Sequence, residues 1–471
     1  MKAAIVNFTG GRENWGCQAT SDEMLRFCRG IIARWPQSEI MLVPCLPKHA
    51  LDSFIERVHG KRIRRIFAAE CPRPSDLRFL EGLVEQRFGA MIERVRSSDI
   101  VIFQGEGTMG PKVHFRGLRF FALPFLAKHL WRKPVVSLNQ SFYAARPSDL
   151  AVAANIYRHF DIVALREGQS YALYRSLGIG APLLCPDLAF RARPGVSARH
   201  DADAPYFCVT GSAAMDEYDL GTYARLIRDL AATTGLKPLL LYSKQDDSRL
   251  LAAVAEALPE GRYAAVNSKR MATYDRILPI LRDARFVIGG RYHTAVTALA
   301  QATPVILLPA NTHKNEGLAT MLGIDLPVHG LADRRAILSE AAALMRPGNG
   351  RAEAIRAALD TVAARQEAFA AYLARFIAGG SREVGSDPLL TPDLPAATVA
   401  PQNAAIYAQV NAGRSHTLIG RLKGTQRQLG AWHLVRTQLK RKSLRKLKPY
   451  VSMAVNRRIY DQPPRAGDPP A

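Results

Sequence analysis

The chain lacks paired cysteines, metal-ligand spacings and any long apolar run. Its six cysteines, Cys17, Cys28, Cys45, Cys71, Cys185 and Cys208, form no C-x-x-C pair and share no His/Cys spacing of the kind zinc needs. Neither a metal knuckle nor a disulfide framework is therefore expected. Nowhere do ~18 apolar residues run together, so no membrane-spanning helix is expected. The opening MKAAIVNFTGG turns polar too early for a signal-peptide core. Internal repeats of short fixed period are also missing, as is the G-K-[ST] that would make a phosphate loop of the glycines near residue 10. A cytoplasmic protein is the expectation.

Positive charge is plentiful. Against 41 Asp+Glu stand 64 Lys+Arg, a net charge of +23. Thirteen of those cations lie between Arg414 and Arg458, a segment without Asp or Glu, which leaves +10 for the remainder. Leu439, Leu444, Leu447, Trp432 and Tyr450 are interleaved with them. A cationic segment of this kind can lie on an anionic membrane, each Lys/Arg contributing on the order of 1 kcal/mol. A disordered docking tail fits the same residues, and nucleic acid fits the charge. The membrane surface, on its inner face, is the preferred partner, ahead of nucleic acid.

At 471 residues and 48% hydrophobic, the chain can bury more than one core. Strand-like runs AAIVNF, EIMLVP, RIRRIF, DIVIFQG, KPVVSLNQ and DIVALRE alternate with helix-length segments through the first 190 residues. A second series, YFCVTG, KPLLLYS, GRYAAVN, RFVIGG and TPVILLP, begins after a polar stretch near residue 200. This rhythm predicts an α/β protein with two Rossmann-like domains of parallel sheet facing a cleft. The expected division is 1–195, 200–379 closed by an alanine-rich helix, a Pro/Ser/Gly-rich linker over 380–413, and the basic tail 414–471.

The most informative turn is GGRYHT. A strand through Ile288 meets Gly289 and Gly290, which permit a tight turn, and TAVTALAQA reads as a helix of small residues. A helix N-terminus there would present unpaired N–H groups, with Arg291 and His293 adding charge beside it. Asn311, Thr312, His313 and Lys314 follow in the next loop. The same residues also allow a plainer account, with Arg291 paired to an acid and His293 capping a helix. Glu106, on the Gly-flanked turn QGEGT, should project at the carboxyl end of its strand. Arg166 and Asp187 each end an apolar run, although Arg166 could merely pair with Glu167 and Asp187 could cap a crossing. Gly10, Gly11 and Gly16 would let backbone approach a ligand.

GGRYHTAVTALAQATPVILLP followed by HKNEGLATMLGI resembles the second domain of the polysaccharide pyruvyl transferase family. DIVALREGQSYALYRSLGIGAPLLCPDLAF, FQGEGTM and NFTGGRENWGCQAT are similar to further family segments, in the same order. The resemblance spans roughly residues 1 to 330. It departs at one place: family members commonly carry Asp directly after the glycine of the opening N-x-G loop, and here Cys17 follows Gly16. Whatever that Asp does in the family is not carried over.

The resemblance implies a GT-B-like enzyme that moves a pyruvyl group from phosphoenolpyruvate to two sugar hydroxyls, as a cyclic ketal on a polysaccharide or lipid-linked glycan precursor. It implies Arg166, Arg291 and Lys314 as donor clamps, and Asn14, Gly16, Gly105 and Gly290 as further substrate-binding positions. His293, Glu106 and Asp187 are the candidate acid and base. No metal and no cofactor beyond the donor substrate are expected. Two other functions remain open at this point: a glycosyltransferase of similar architecture using a nucleotide sugar, and a non-catalytic relative that binds glycan or a partner.

Overall fold

The computed structural model describes residues 1–111, 113–193, 204–215, 218–242, 245–267, 274–380, 387–395 and 399–412. The basic tail lies outside the described residues. Among those described, no helix is long and apolar enough to cross a membrane.

Six strands build a first sheet: β1 (Lys2–Phe8), β2 (Glu39–Pro44), β3 (Ile100–Gln104), β4 (Val135–Gln140), β5 (Ile162–Leu165) and β6 (Leu183–Leu184). Five build a second: β7 (Tyr206–Ser212), β8 (Lys237–Tyr242), β9 (Ala264–Asn267), β10 (Val287–Gly290) and β11 (Val305–Leu307). The orders are β2-β1-β3-β4-β5-β6 and β11-β10-β7-β8-β9, and every pairing is parallel. Helices cover both faces, which is why β3 and β4 are buried along their whole length. Strand order reverses between β1 and β3 in one sheet and between β10 and β7 in the other. At such points neighbouring connections depart to opposite faces and leave a crevice at the carboxyl ends. Both crevices carry candidate residues from the sequence.

Three expectations about elements are corrected. RIRRIF is not a strand but part of the helix Gly60–Ala68. Its apolar residues Ile63, Ile66 and Phe67 fall at i, i+3 and i+4 and are buried, whereas a strand would send the adjacent Ile66 and Phe67 to opposite faces. SDLRFLEGLVEQRFGAMIERVRSS, one of the helix-length segments, breaks into Pro74–Phe88 and Met91–Arg96 at Gly89, which takes a left-handed φ of 55°. The stretch expected as a linker contains a described helix, Pro401–Ala412. Asn403 and Tyr407 on that helix are buried against the Glu316 carboxylate at 3.3 and 2.7 Å.

The alanine-rich helix Arg351–Ile377 does more than close the second half. Its Phe369, Tyr372 and Leu373 enter the core under the first sheet beside Met24, Phe27 and Ile31, with Phe27 and Phe369 stacked at 6.3 Å. Gln366 on the same helix donates to the carbonyls of Pro186 and Asp187, at 3.2 and 3.1 Å.

Glycine permits the close packing behind the site. A Cβ on Gly290 would lie 2.3 Å from the Pro309 carbonyl oxygen and 2.5 Å from Ser212 Oγ, and one on Gly105 would lie 2.2 Å from Gln140 Oε1. Gly290→Ala is expected to cost about 1–3 kcal/mol, because backbone must yield to the methyl. A lowered urea midpoint with unchanged slope would show it, and an unchanged midpoint would show that β10 has slack.

Candidate functional site

A cleft of about 730 Å³ separates the carboxyl ends of the two sheets. Arg12, Asn14, Gly16, Glu106, Ser141 and Arg166 line it from the first, and Arg291, His293, Asn311 and Lys314 from the second. Asp187, Gly105 and Gly290, expected at the site, are not among its lining residues. The two glycines serve the packing described above, and Asp187 stands one layer behind.

Glu106 is held at the first crevice. Asn7, at the end of β1, takes a left-handed φ of 64° and donates through Nδ2 to the carbonyls of Gln104 and Glu106 at 2.7 and 3.3 Å. This ties the QGEG turn to β1. The Glu106 carboxylate accepts from Thr9 Oγ1 at 3.0 Å and from Cys17 Sγ at 3.6 Å, and lies 3.8 Å from Arg12 Nη1. Burial would raise its pKa, but His293, Arg12, Arg166 and the Thr9 hydroxyl outweigh that and hold it below the usual carboxylate range. Glu106 is thus an ionised group at the cleft wall. Cys17, at the departure from the family pattern, is pushed upward by burial and then by Glu106, so it sits there as a neutral thiol.

Arg166 is not a surface partner of Glu167. It is buried at the end of β5, donating to Ser141 Oγ at 2.9 Å and to Asp187 Oδ2 at 2.8 Å, with its guanidinium carbon 4.4 Å from the centre of the Tyr292 ring. Burial would raise Asp187, yet hydrogen bonding from His293 and the charge of Arg166 drive it far below the usual range. Its other oxygen accepts from Thr20 Oγ1 at 2.8 Å and from the Ala189 amide at 2.9 Å.

His293 joins this cluster from the opposite half. The helix it belongs to, Tyr292–Leu299, begins two residues earlier than TAVTALAQA suggested, so His293 lies inside its first turn and Arg291 at the N-cap position. Its Nε2 is 3.2 Å from Arg166 Nη1 and 3.5 Å from Asp187 Oδ2. Arg166 can only donate, so a neutral His293 accepts at Nε2 and keeps its proton on Nδ1. In a protonated ring, Nε2–H has the Asp187 carboxylate within 3.5 Å. Both protonation states therefore have a partner, which suits a group that moves a proton.

At Gly16 the halves come into close contact. Asn14 caps the helix Trp15–Ile32 by accepting from the Gly16 amide at 3.0 Å, and a Cβ on Gly16 would lie 2.6 Å from His293 Cβ. Any side chain there would displace the histidine. Lys314, the first residue of the helix Lys314–Leu322, donates to Asn311 Oδ1 at 2.8 Å. Burial, followed by the charge of Arg166, pushes it down to about 7. The cleft lining therefore carries six Lys/Arg side chains, among them Arg12, Arg166, Arg291 and Lys314, against three carboxylates, Glu106, Asp52 and Glu56. Such an arrangement favours a small anion of more than one charge.

Reading the sequence missed Arg12, Ser141, Tyr292 and Glu167. Arg12 could have been noticed inside the glycine-rich opening loop, but nothing marks Ser141. Glu167 caps the helix Gly168–Ser176 through the amides of Gln169 and Ser170 at 2.9 and 3.0 Å, and burial raises it to about 7. Its neighbour His313, 3.9 Å away, is pushed down by burial to about 4. Neither lines the cleft, and they form a packed contact between the halves.

No curated protein matches the chain. Among solved structures, a UDP-N-acetylglucosamine 2-epimerase from Listeria monocytogenes superposes with a TM-score of 0.54 at 12% identity, over 81% of this chain and 98% of that one. The S. aureus MnaA–UDP structure gives 0.52 at 12% identity, over 82% and 100%. At that identity the likeness carries the fold, two α/β halves of the GT-B-like type, and no activity. The family model described as polysaccharide pyruvyl transferase matches residues 39–311, a span that includes Glu106, Arg166, Asp187, Arg291 and His293. The chain belongs to the polysaccharide pyruvyl transferase family.

Proposed function

We propose that the protein transfers a pyruvyl group from phosphoenolpyruvate to two hydroxyls of one glycan residue, forming a cyclic ketal and releasing phosphate. The observation that carries this reading is that Arg166, Arg291, Lys314 and His293 line one cleft together with the ionised Glu106. Phosphoenolpyruvate is small and carries a carboxylate and a phosphate, so it needs several cations within a few ångströms. Its methylene carbon takes a proton, the first hydroxyl adds to the resulting cationic centre, phosphate leaves, and the second hydroxyl adds. The two hydroxyl protons go to bases, and one proton from a general acid becomes part of the new methyl group.

His293 is the residue placed to exchange a proton, because Arg166 and Asp187 serve its neutral and charged forms in turn. Glu106 accepts a hydroxyl hydrogen bond, or the proton itself, on the acceptor side. Asp187 acts through Arg166 and His293 as a positioning residue. So drawn, the reaction calls for no resident cofactor, and the donor enters as a substrate.

Arg291→Ala and His293→Ala should each lower turnover by about 100-fold or more, because a charged contact or proton donor is removed where charge develops. Thermal unfolding of both variants should stay close to the parent. In the parent, phosphoenolpyruvate should raise the melting temperature and nucleoside diphosphates should not. Stabilisation by the nucleotides alone would favour a sugar-nucleotide transferase, and parental rates in both variants would make the turn purely structural.

Lys314 makes donor binding pH-dependent. An anionic donor favours the charged lysine and so raises its pKa above the value of about 7 that burial and Arg166 give it. Below that value the lysine is already charged and contributes no pH dependence. Above it, binding takes up a proton, and affinity falls as pH climbs toward the raised value. Calorimetry at about pH 8 in buffers of different ionisation heat should detect the uptake. Lys314→Arg, charged throughout, should abolish it.

A further inference from the structure

Among the described residues, Phe54 and Val58 are the two large hydrophobic side chains that stand exposed, at 43% and 54%. They lie one turn apart on the same face of the helix Ala50–Val58. That helix is firmly held. His49 and Asp52 form a reciprocal cap at its start, Asp52 accepts from Arg87 at 2.6 and 3.0 Å, and Ile55 is buried. The apolar pair is therefore presented on a rigid element.

Exposed cations border it. Arg57 lies beside Val58, and Lys61 and Arg65 follow one turn apart on the solvent face of Gly60–Ala68. The nearest carboxylate on the first helix, Glu56, is paired with Lys48 at 3.0 Å. The opposite face of that helix, through Asp52 and Glu56, lines the cleft. An exposed apolar pair thus stands on the outer face of a helix that also borders the cleft, with exposed cations next to it in the chain and on the following helix.

The charge selects the occupant. The chain's own segment Arg414–Arg458, with thirteen Lys/Arg and no acid, would be repelled by Arg57, Lys61 and Arg65. Two side chains fall well short of the roughly 800 Å² per partner that a stable dimer needs. An anionic bilayer satisfies both features, since Phe and Val enter the acyl boundary while Arg and Lys stay among the phosphates.

We propose that the helices Ala50–Val58 and Gly60–Ala68 dock on an anionic phospholipid surface through Phe54 and Val58, flanked by Arg57, Lys61 and Arg65. This contact is separate from any made by the tail. The docking does not rest on the proposed pyruvyl transfer.

The test uses the full chain, because the tail could hold the protein on vesicles by itself. In Phe54→Trp, the added emission should shift to the blue and be quenched by brominated acyl chains in vesicles containing phosphatidylglycerol, and far less in pure phosphatidylcholine. Phe54→Ser combined with Val58→Ser should lower partitioning about tenfold from the lost apolar burial, with thermal unfolding and turnover of a water-soluble acceptor unchanged. An unquenched indole on vesicles that still bind the protein would overturn the proposal. Parental partitioning of the double variant, equal quenching in neutral vesicles, or no vesicle binding at all would also overturn it. Because quenching is read without turnover, failure of the proposed reaction leaves this result distinct.

Discussion

The buried pair of Arg166 and Asp187 is the contact on which the rest of the site depends. Removing two opposite charges from water is costly unless the remaining donors and acceptors are satisfied. Here Ser141, Thr20 and the Ala189 amide complete the set. The arginine ends β5 and the aspartate follows β6, so the pair locks the far edge of the first sheet. Because His293 from the second half rests on both residues, the same pair also fixes how the halves meet.

Glycine lets that meeting be close. Gly16 leaves room for His293, and Gly317 leaves room for the Glu167 carboxylate, whose Oε2 would lie 1.7 Å from a Cβ at that position. With the two reversal points of strand order brought face to face, groups far apart in the chain share one space: Glu106 and Arg12 from the first crevice, Arg291 and His293 from the second. Burial, and then the charge of Arg166, holds Lys314 below its ordinary value, so an anion bound beside it would favour its charged form.

The C-terminal elements add a constraint of their own. The helix Arg351–Ile377 returns to the first sheet and holds the backbone at Asp187 through Gln366. Helix Pro401–Ala412 seals Glu316 through Asn403 and Tyr407, and its Asn411 reaches Tyr143 of the first half at 2.7 Å. The first of these helices thus holds the backbone of the acid behind His293, and the second ties the two halves together.

Much of this was legible in the sequence. Ten of the eleven strand-like runs became strands, because a buried parallel strand leaves a short apolar run bounded by turn residues. Their alternation with helices also implied carboxyl-end loops, which is why GGRYHT, QGEGT and the opening loop could be singled out. RIRRIF failed because a six-residue run of mixed charge and aliphatics is ambiguous in period. Which side chains reach the cleft was not legible. Asp187 and Arg166 look alike at their strand ends, but one is screened by the other. Glu167 reads as a partner for Arg166 until its helix turns its carboxylate inward, and Ser141 carries no local mark. The sequence by itself determined the elements, their order and the family motifs, because these depend on local period and turn chemistry. Burial, partners and protonation were decided by tertiary structure alone, because each depends on what another part of the chain places within a few ångströms.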